Sequence, residues 1–149
     1  MNIIINKVSS PEDLQECFKI RRIVFNKEQS VSTEKEFDGN DNIAQHYLLT
    51  VDNKPSGTAR IRYVNNTAKI ERMAILNSMR GKSLGKSMIE YILNDLIKDK
   101  ELSQIILSAQ THAIAFYEKV GFKICSDQYL DAGIEHRDMI FEKDNISNS

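Results

Sequence analysis

Cysteine is scarce in this 149-residue chain: Cys17 and Cys125 stand far apart, and neither has a CxxC neighbour. That spacing offers no disulfide framework. One bridge, a lone metal ligand or buried thiols all stay open, and reduced structural cysteines are the plainest reading. Charge of one sign is equally lacking, since 20 Lys and Arg face 21 Asp and Glu for a formal net charge of −1. No global field therefore draws the chain to nucleic acid or a membrane, and any charge-driven binding is local. Long apolar runs are missing too. The amino-terminal Ile3-Ile4-Ile5 is too short for a signal-peptide core or a membrane span, which points to a cytoplasmic protein. Proline, glycine and serine nowhere gather into a linker, and no segment repeats. A single domain over residues 1–143 is expected, with a frayed tail at 144–149.

What is present reads as alternating strands and helices. Residues 2–8 form a β-prone isoleucine run. Ser10 and Pro11 supply an N-cap and first-turn proline, and Glu12 and Asp13 suit the dipole of a helix that runs to about Lys27. Periodicity fades over 26–45, where Glu34, Glu36, Asp38 and Asp41 read as a solvated acidic loop with one short helix at most. Strands follow at 46–51, 58–64 and 69–76. In the second of these Thr58, Arg60 and Arg62 alternate with Ala59, Ile61 and Tyr63, the mark of a half-buried strand, and Asn65-Asn66 suits a tight hairpin. Residues 84–97 make a strongly amphipathic helix. A strand at 104–109, a helix at 111–119 with Gly121 as its C-terminal cap, and strands at 122–125 and 137–141 complete the order. The fold class is α+β, with a mixed sheet.

The most informative segment is Met79-Arg-Gly-Lys-Ser-Leu-Gly-Lys-Ser87, between a strand and a helix start. Glycines let backbone approach a ligand, first-turn amides of a helix lack acceptors, and the positive dipole end favours anions. Arg80, Lys82 and Lys86 add charge there. Two Gly-Lys-Ser triplets suggest a P-loop, but Leu76 and Arg80 stand where that motif requires glycine. Taken alone, the turn reads equally as a phosphate site or as a solvated loop.

With its neighbours, it resembles the cofactor motif of the GNAT superfamily of N-acetyltransferases. Arg80-Gly81-Lys82-Ser83-Leu84-Gly85 follows the pattern of Arg or Gln, two residues, Gly, one residue, then Gly or Ala; Ser83 replaces the first glycine and must manage without glycine's freedom. The resemblance extends to residues 110–122, where Ala113, Phe116, Tyr117, Gly121 and Phe122 fall in place and Gln110 stands where many relatives carry asparagine. Arg21-Arg-Ile-Val-Phe25, Glu28, Gln29, Gly133, Ile134 and His136 are similar to an ElaA-like bacterial subgroup.

The resemblance implies a mostly antiparallel central sheet flanked by helices and splayed between its fourth and fifth strands, with acetyl-CoA as cosubstrate and no metal. Pantetheine would pair with the backbone of Met73, Ala74 and Ile75, and the diphosphate would sit on Arg80, Gly81, Lys82, Ser83, Leu84, Gly85 and Lys86, with Gln110 and Ala113 on the opposite wall. It implies direct attack by an amine of a small molecule or peptide, with Tyr117 as general acid. Glu71 is the leading base, expected on the same strand face as Met73; otherwise it is a strand glutamate paired with Arg60 or Arg62. His136 and His112 are further base candidates because histidine titrates near neutrality; the plainer readings are that His112 caps or lines the helix near the cofactor and that His136 makes a structural hydrogen bond. Arg21, Glu28, Gln29 and His136 are expected on the acceptor side. A longer acyl-CoA donor, or a non-catalytic acyl-CoA sensor, are the competing readings, and edge-to-edge pairing of such domains leaves a homodimer open.

Overall fold

The structure, a computed structural model, describes residues 1–142; the tail expected at 144–149 lies outside the described residues. Eight strands form one sheet: β1 (Ile3–Lys7), β2 (Gln45–Val51), β3 (Lys54–Val64), β4 (Thr67–Ile75), β5 (Gln104–Gln110), β6 (Lys123–Ile124), β7 (Tyr129–Asp131) and β8 (Ile134–Glu142). Their order is β1-β2-β3-β4-β5-β8-β6, with β7 also paired to β8. All the pairings are antiparallel except β4 with β5.

Each face carries its own core. The apolar stripe of α3 (Leu84–Leu96), with Met88, Ile89 and Ile92 fully buried, packs on Leu49, Ile61 and Ile70. On the other face Cys17, Ile20 and Val24 pack on Leu48 and Ala74. The helix carrying them starts as read: Ser10 Oγ accepts from the Asp13 amide at 3.2 Å and Pro11 opens α1 (Pro11–Arg21). Past Arg21 the α-helix widens into a π-helical stretch, Arg22–Glu28, in which Gln29 N–H reaches back to the Val24 carbonyl. At the far end, Gly121 terminates α4 (Ile114–Lys119) at φ +109°, where a Cβ would lie 2.7 Å from the Phe141 ring.

Three expectations need correction. Thr58 and Arg60 are fully buried, not solvent-facing, because α1 and residues 33–41 cover that face of β3. The 33–41 segment is not a solvated loop. It contains α2 (Thr33–Glu36), capped by Ser32, and Glu36, Asp38 and Asp41 reach arginines while Glu34 stays exposed. The last strand is longer than 137–141, and β7 precedes it across a tight turn with Ala132 and Gly133 at positive φ.

Candidate active site

β4 and β5 pair only from Thr67–Gln104 to Ile70–Leu107, after which β4 continues to Ile75 and β5 to Gln110 without partnering each other. The divergence opens a cleft of about 820 Å³. One wall is β4 and the turn before α3; the other is the end of β5, Ala113 and α4.

A bulge sets which β4 side chains face which side. Arg60 pairs with Glu71 and Thr58 with Ala74, so Ala59 alone spans both Arg72 and Met73, and Arg72 takes φ +52°. An extra residue reverses the alternation. Met73 and Ile75 therefore join the α3-side core with Ile70, whereas Glu71 lies on the α1 side with Ala74. The expected shared face of Glu71 and Met73 does not exist.

At the mouth of the cleft, Gly81 (φ +80°) and Ser83 (φ +61°, ψ 21°) turn the chain into α3. Ser10 and Ser32 cap their helices, but left-handed Ser83 makes no side-chain cap, so the first-turn amides of α3 stay available to an anion. Lys82 and Lys86 are exposed beside them. Arg80 is engaged: its Nε donates to the Ile75 carbonyl at 3.0 Å, its Nη2 meets Glu28 Oε2 at 3.1 Å, and its Nη1 pairs with Glu28 Oε1. The carbonyl of Ile75, expected to face pantetheine, is thus already an acceptor for Arg80.

Deeper in, Tyr117 Oη lies 3.6 Å from Met73 Sδ, and its ring packs edge-on against Phe122. Burial pushes its phenol up to about 12. Across the sheet, Gln110 Nε2 donates to Gln29 Oε1 at 2.9 Å, tying the end of β5 to the π-helical segment. His136 is buried and lines the cleft, as does exposed His112.

Glu71 is clasped by two arginines. Arg62 reaches Oε1 at 3.0 Å and Oε2 at 3.3 Å, and Arg60 reaches Oε1 at 3.2 Å, so the ion-paired alternative is the one realised. Arg21, expected to meet acceptor, is instead fully buried. It bonds Glu36 at 2.7 Å and Asp41 at 2.6 Å, with its guanidinium over the Phe18 and Phe37 rings. Asp38, Asp41, Glu36 and Arg72 complete this network and escaped the sequence reading, because each pairs with residues distant in sequence. The only mark of the three carboxylates was the acidity of 34–41.

A sheet opened at one parallel pair, with an uncapped helix start at the opening, defines the class of GNAT-fold transferases. The family model described as an acetyltransferase (GNAT) domain matches residues 8–143, and the chain belongs to that family. It is 42% identical to the uncharacterized protein YyaT of Bacillus subtilis over 135 residues, covering 89% of this chain and 90% of that protein. It is 37% identical to the uncharacterized N-acetyltransferase YjcF of the same species over 141 residues, 94% and 99% of the two chains. Among solved structures, Escherichia coli ElaA superposes with a TM-score of 0.85 over 95% of this chain and 100% of that one, at 23% identity, a likeness of fold.

Proposed function

We propose that the chain transfers an acetyl group from acetyl-CoA to a primary amine of a small molecule or peptide by direct attack on the thioester. One observation carries this reading: the uncapped start of α3, flanked by Lys82 and Lys86, opens onto the same cleft whose inner wall holds the half-buried Tyr117. The amides of Gly81 through Lys86 suit a diphosphate, and Arg80 joins them once Glu28 lets go. The β4 edge at Met73, Ala74 and Ile75, unpaired with β5, suits an added strand-like pantetheine arm, with Ala113 and Gln110 opposite.

In the reaction a C–N bond forms as the C–S bond breaks, and the departing sulfur takes a proton from Tyr117. At about 12 the phenol stays protonated throughout the working pH range. Against a thiol near 8.5 in water that donation is uphill by roughly 5 kcal/mol, but a thiolate in the same apolar wall is raised as well, which narrows the gap. Glu71, occupied by Arg60 and Arg62, serves to hold β3 and β4 together beside the acceptor.

Calorimetry with acetyl-CoA and thiol release across an amine and peptide library test the reading. Saturable heat plus release with at least one amine is expected; no heat on CoA titration overturns it.

A further inference from the structure

With Glu71 locked, the attacking amine lacks an evident proton acceptor. We propose that His136 is that acceptor, an inference that rests on the acetyl-transfer reading above.

In the sheet register His136 faces Gln110 of β5 and Tyr129 of β7, and Ser108 faces Asp138. Ile105, Leu107 and Ala109 of β5 point into the α3-side core, so Ser108, Gln110 and His136 lie on the opposite face. Gln110 bonding Gln29 from the α1 side confirms the direction. An amine approaching from that open face meets the wall that His136 lines.

His136 Nδ1 lies 2.7 Å from the Ile134 carbonyl oxygen. A carbonyl only accepts, so Nδ1 carries the hydrogen and neutral His136 holds its lone pair on Nε2. Nε2 has no hydrogen-bond partner among the described residues, yet it is not among the buried unsatisfied atoms, so it keeps some solvent access in a residue that lines the cleft. The imidazole stacks on Tyr129 at 6.1 Å and 21°, and Tyr129 is anchored by its hydroxyl to Asp138 Oδ1 at 2.5 Å and to Ser108.

Other ionisable groups near this wall are Tyr129 on β7, Asp131 on the hairpin, Asp138 on β8, His112 after β5, and Glu28 from the π-helical segment. Tyr129 is pushed up to about 12, by burial first and then by Asp138, so it stays neutral. Glu28 is bound to Arg80. Proton balance is simple. As the C–N bond forms, the amine proton passes to Nε2 and the resulting imidazolium donates from both nitrogens; water then takes that proton and returns one to the Tyr117 phenolate left when the thiol departs, so no net proton is gained or lost.

The test compares wild type with His136→Asn, whose amide can keep the bond to Ile134 O but cannot accept a proton. With acetyl-CoA and the most reactive library amine, kcat/KM is expected to fall by roughly 10²- to 10⁴-fold. The acidic limb of its pH profile should vanish, CoA affinity should hold, and added imidazole should restore part of the rate. A rate within a few-fold of wild type with an unchanged acidic limb overturns the proposal while leaving acetyl transfer intact. If wild type binds CoA but acetylates no amine, the underlying reading fails, and this inference with it. Should the variant not fold, ¹⁵N-histidine spectra of wild type decide: a lone pair on Nε2 is expected, and a protonated Nε2 in the neutral ring sinks the proposal.

Discussion

Ser83 holds a backbone conformation that glycine adopts freely and an L-residue does not, at φ +61° and ψ 21°. A left-handed L-residue costs roughly 1–2 kcal/mol, and glycine's greater unfolded-state freedom returns about half of the relief. Ser83→Gly should therefore stabilise the protein by about 0.5–1 kcal/mol, raising Tm by a few degrees in thermal denaturation. A lower Tm would show that the Ser83 side chain holds the turn in some other way. Tyr117 tests the chemistry. Its hydroxyl hydrogen-bonds only the Met73 thioether among the described residues, so Tyr117→Phe removes a weak bond from the fold and a proton from the reaction. Turnover should drop on the order of 100-fold while the calorimetric Kd for CoA stays the same. Equal turnover removes Tyr117 from the mechanism.

Between elements, the contact that matters most is the Glu28 carboxylate of the π-helical segment lying against Arg80 at the entrance to α3. Both side chains are over a third exposed, so the pair is a modest one, worth about 0.2–1 kcal/mol. A diphosphate must displace that carboxylate, and Glu28→Gln should tighten CoA binding about two- to five-fold, most clearly at low salt. Weaker binding would mean that Glu28 itself holds the cofactor side in shape. Such long-range pairs explain what the sequence left hidden. The α3 helix and its turn were legible because Met88, Ile89, Ile92, Leu93 and Leu96 repeat at helical spacing and because glycine and lysine crowd one junction. The bulge at Arg72 was not, since an arginine at positive φ leaves no trace in composition, and without it Glu71 falls on the wrong face. Nor was the pairing of Arg21 and Arg60 with Glu36, Asp38 and Asp41, which lie 15 to 22 positions away in a stretch that reads as solvent-facing.

Over the whole molecule, four arginines (Arg21, Arg60, Arg62 and Arg72) meet four carboxylates (Glu36, Asp38, Asp41 and Glu71) in one network that fastens α1, residues 33–41, β3 and β4 beside the cleft. Opposite charges balance, so neutralising Asp38 or Asp41 leaves a buried guanidinium short of a partner. Hydrogen bonds from Arg60 hold Asp38 well below the usual carboxylate range. Burial pushes Asp41 up, but Arg21 and Arg60 outweigh it and leave its carboxyl lowered as well. Groups with depressed folded values contribute stability above their unfolded values, near 3.9 for aspartate, and lose it as pH falls further. His46 acts in the same direction. Burial lowers it, its Nε2 donates to the Asp41 carbonyl at 2.9 Å, and its Nδ1 is buried without a partner among the described residues, so acid must charge a ring built to be neutral. Urea denaturation across pH should therefore show stability easing below about pH 6.5 and falling steeply below about pH 4. Asp38→Asn should flatten the steep limb while lowering stability at neutral pH by on the order of 2 kcal/mol, since Arg60 would keep its burial and lose a partner. A stability curve that is flat from pH 7 to pH 3 would mean that packing alone, without these charges, fastens residues 33–41 to the sheet.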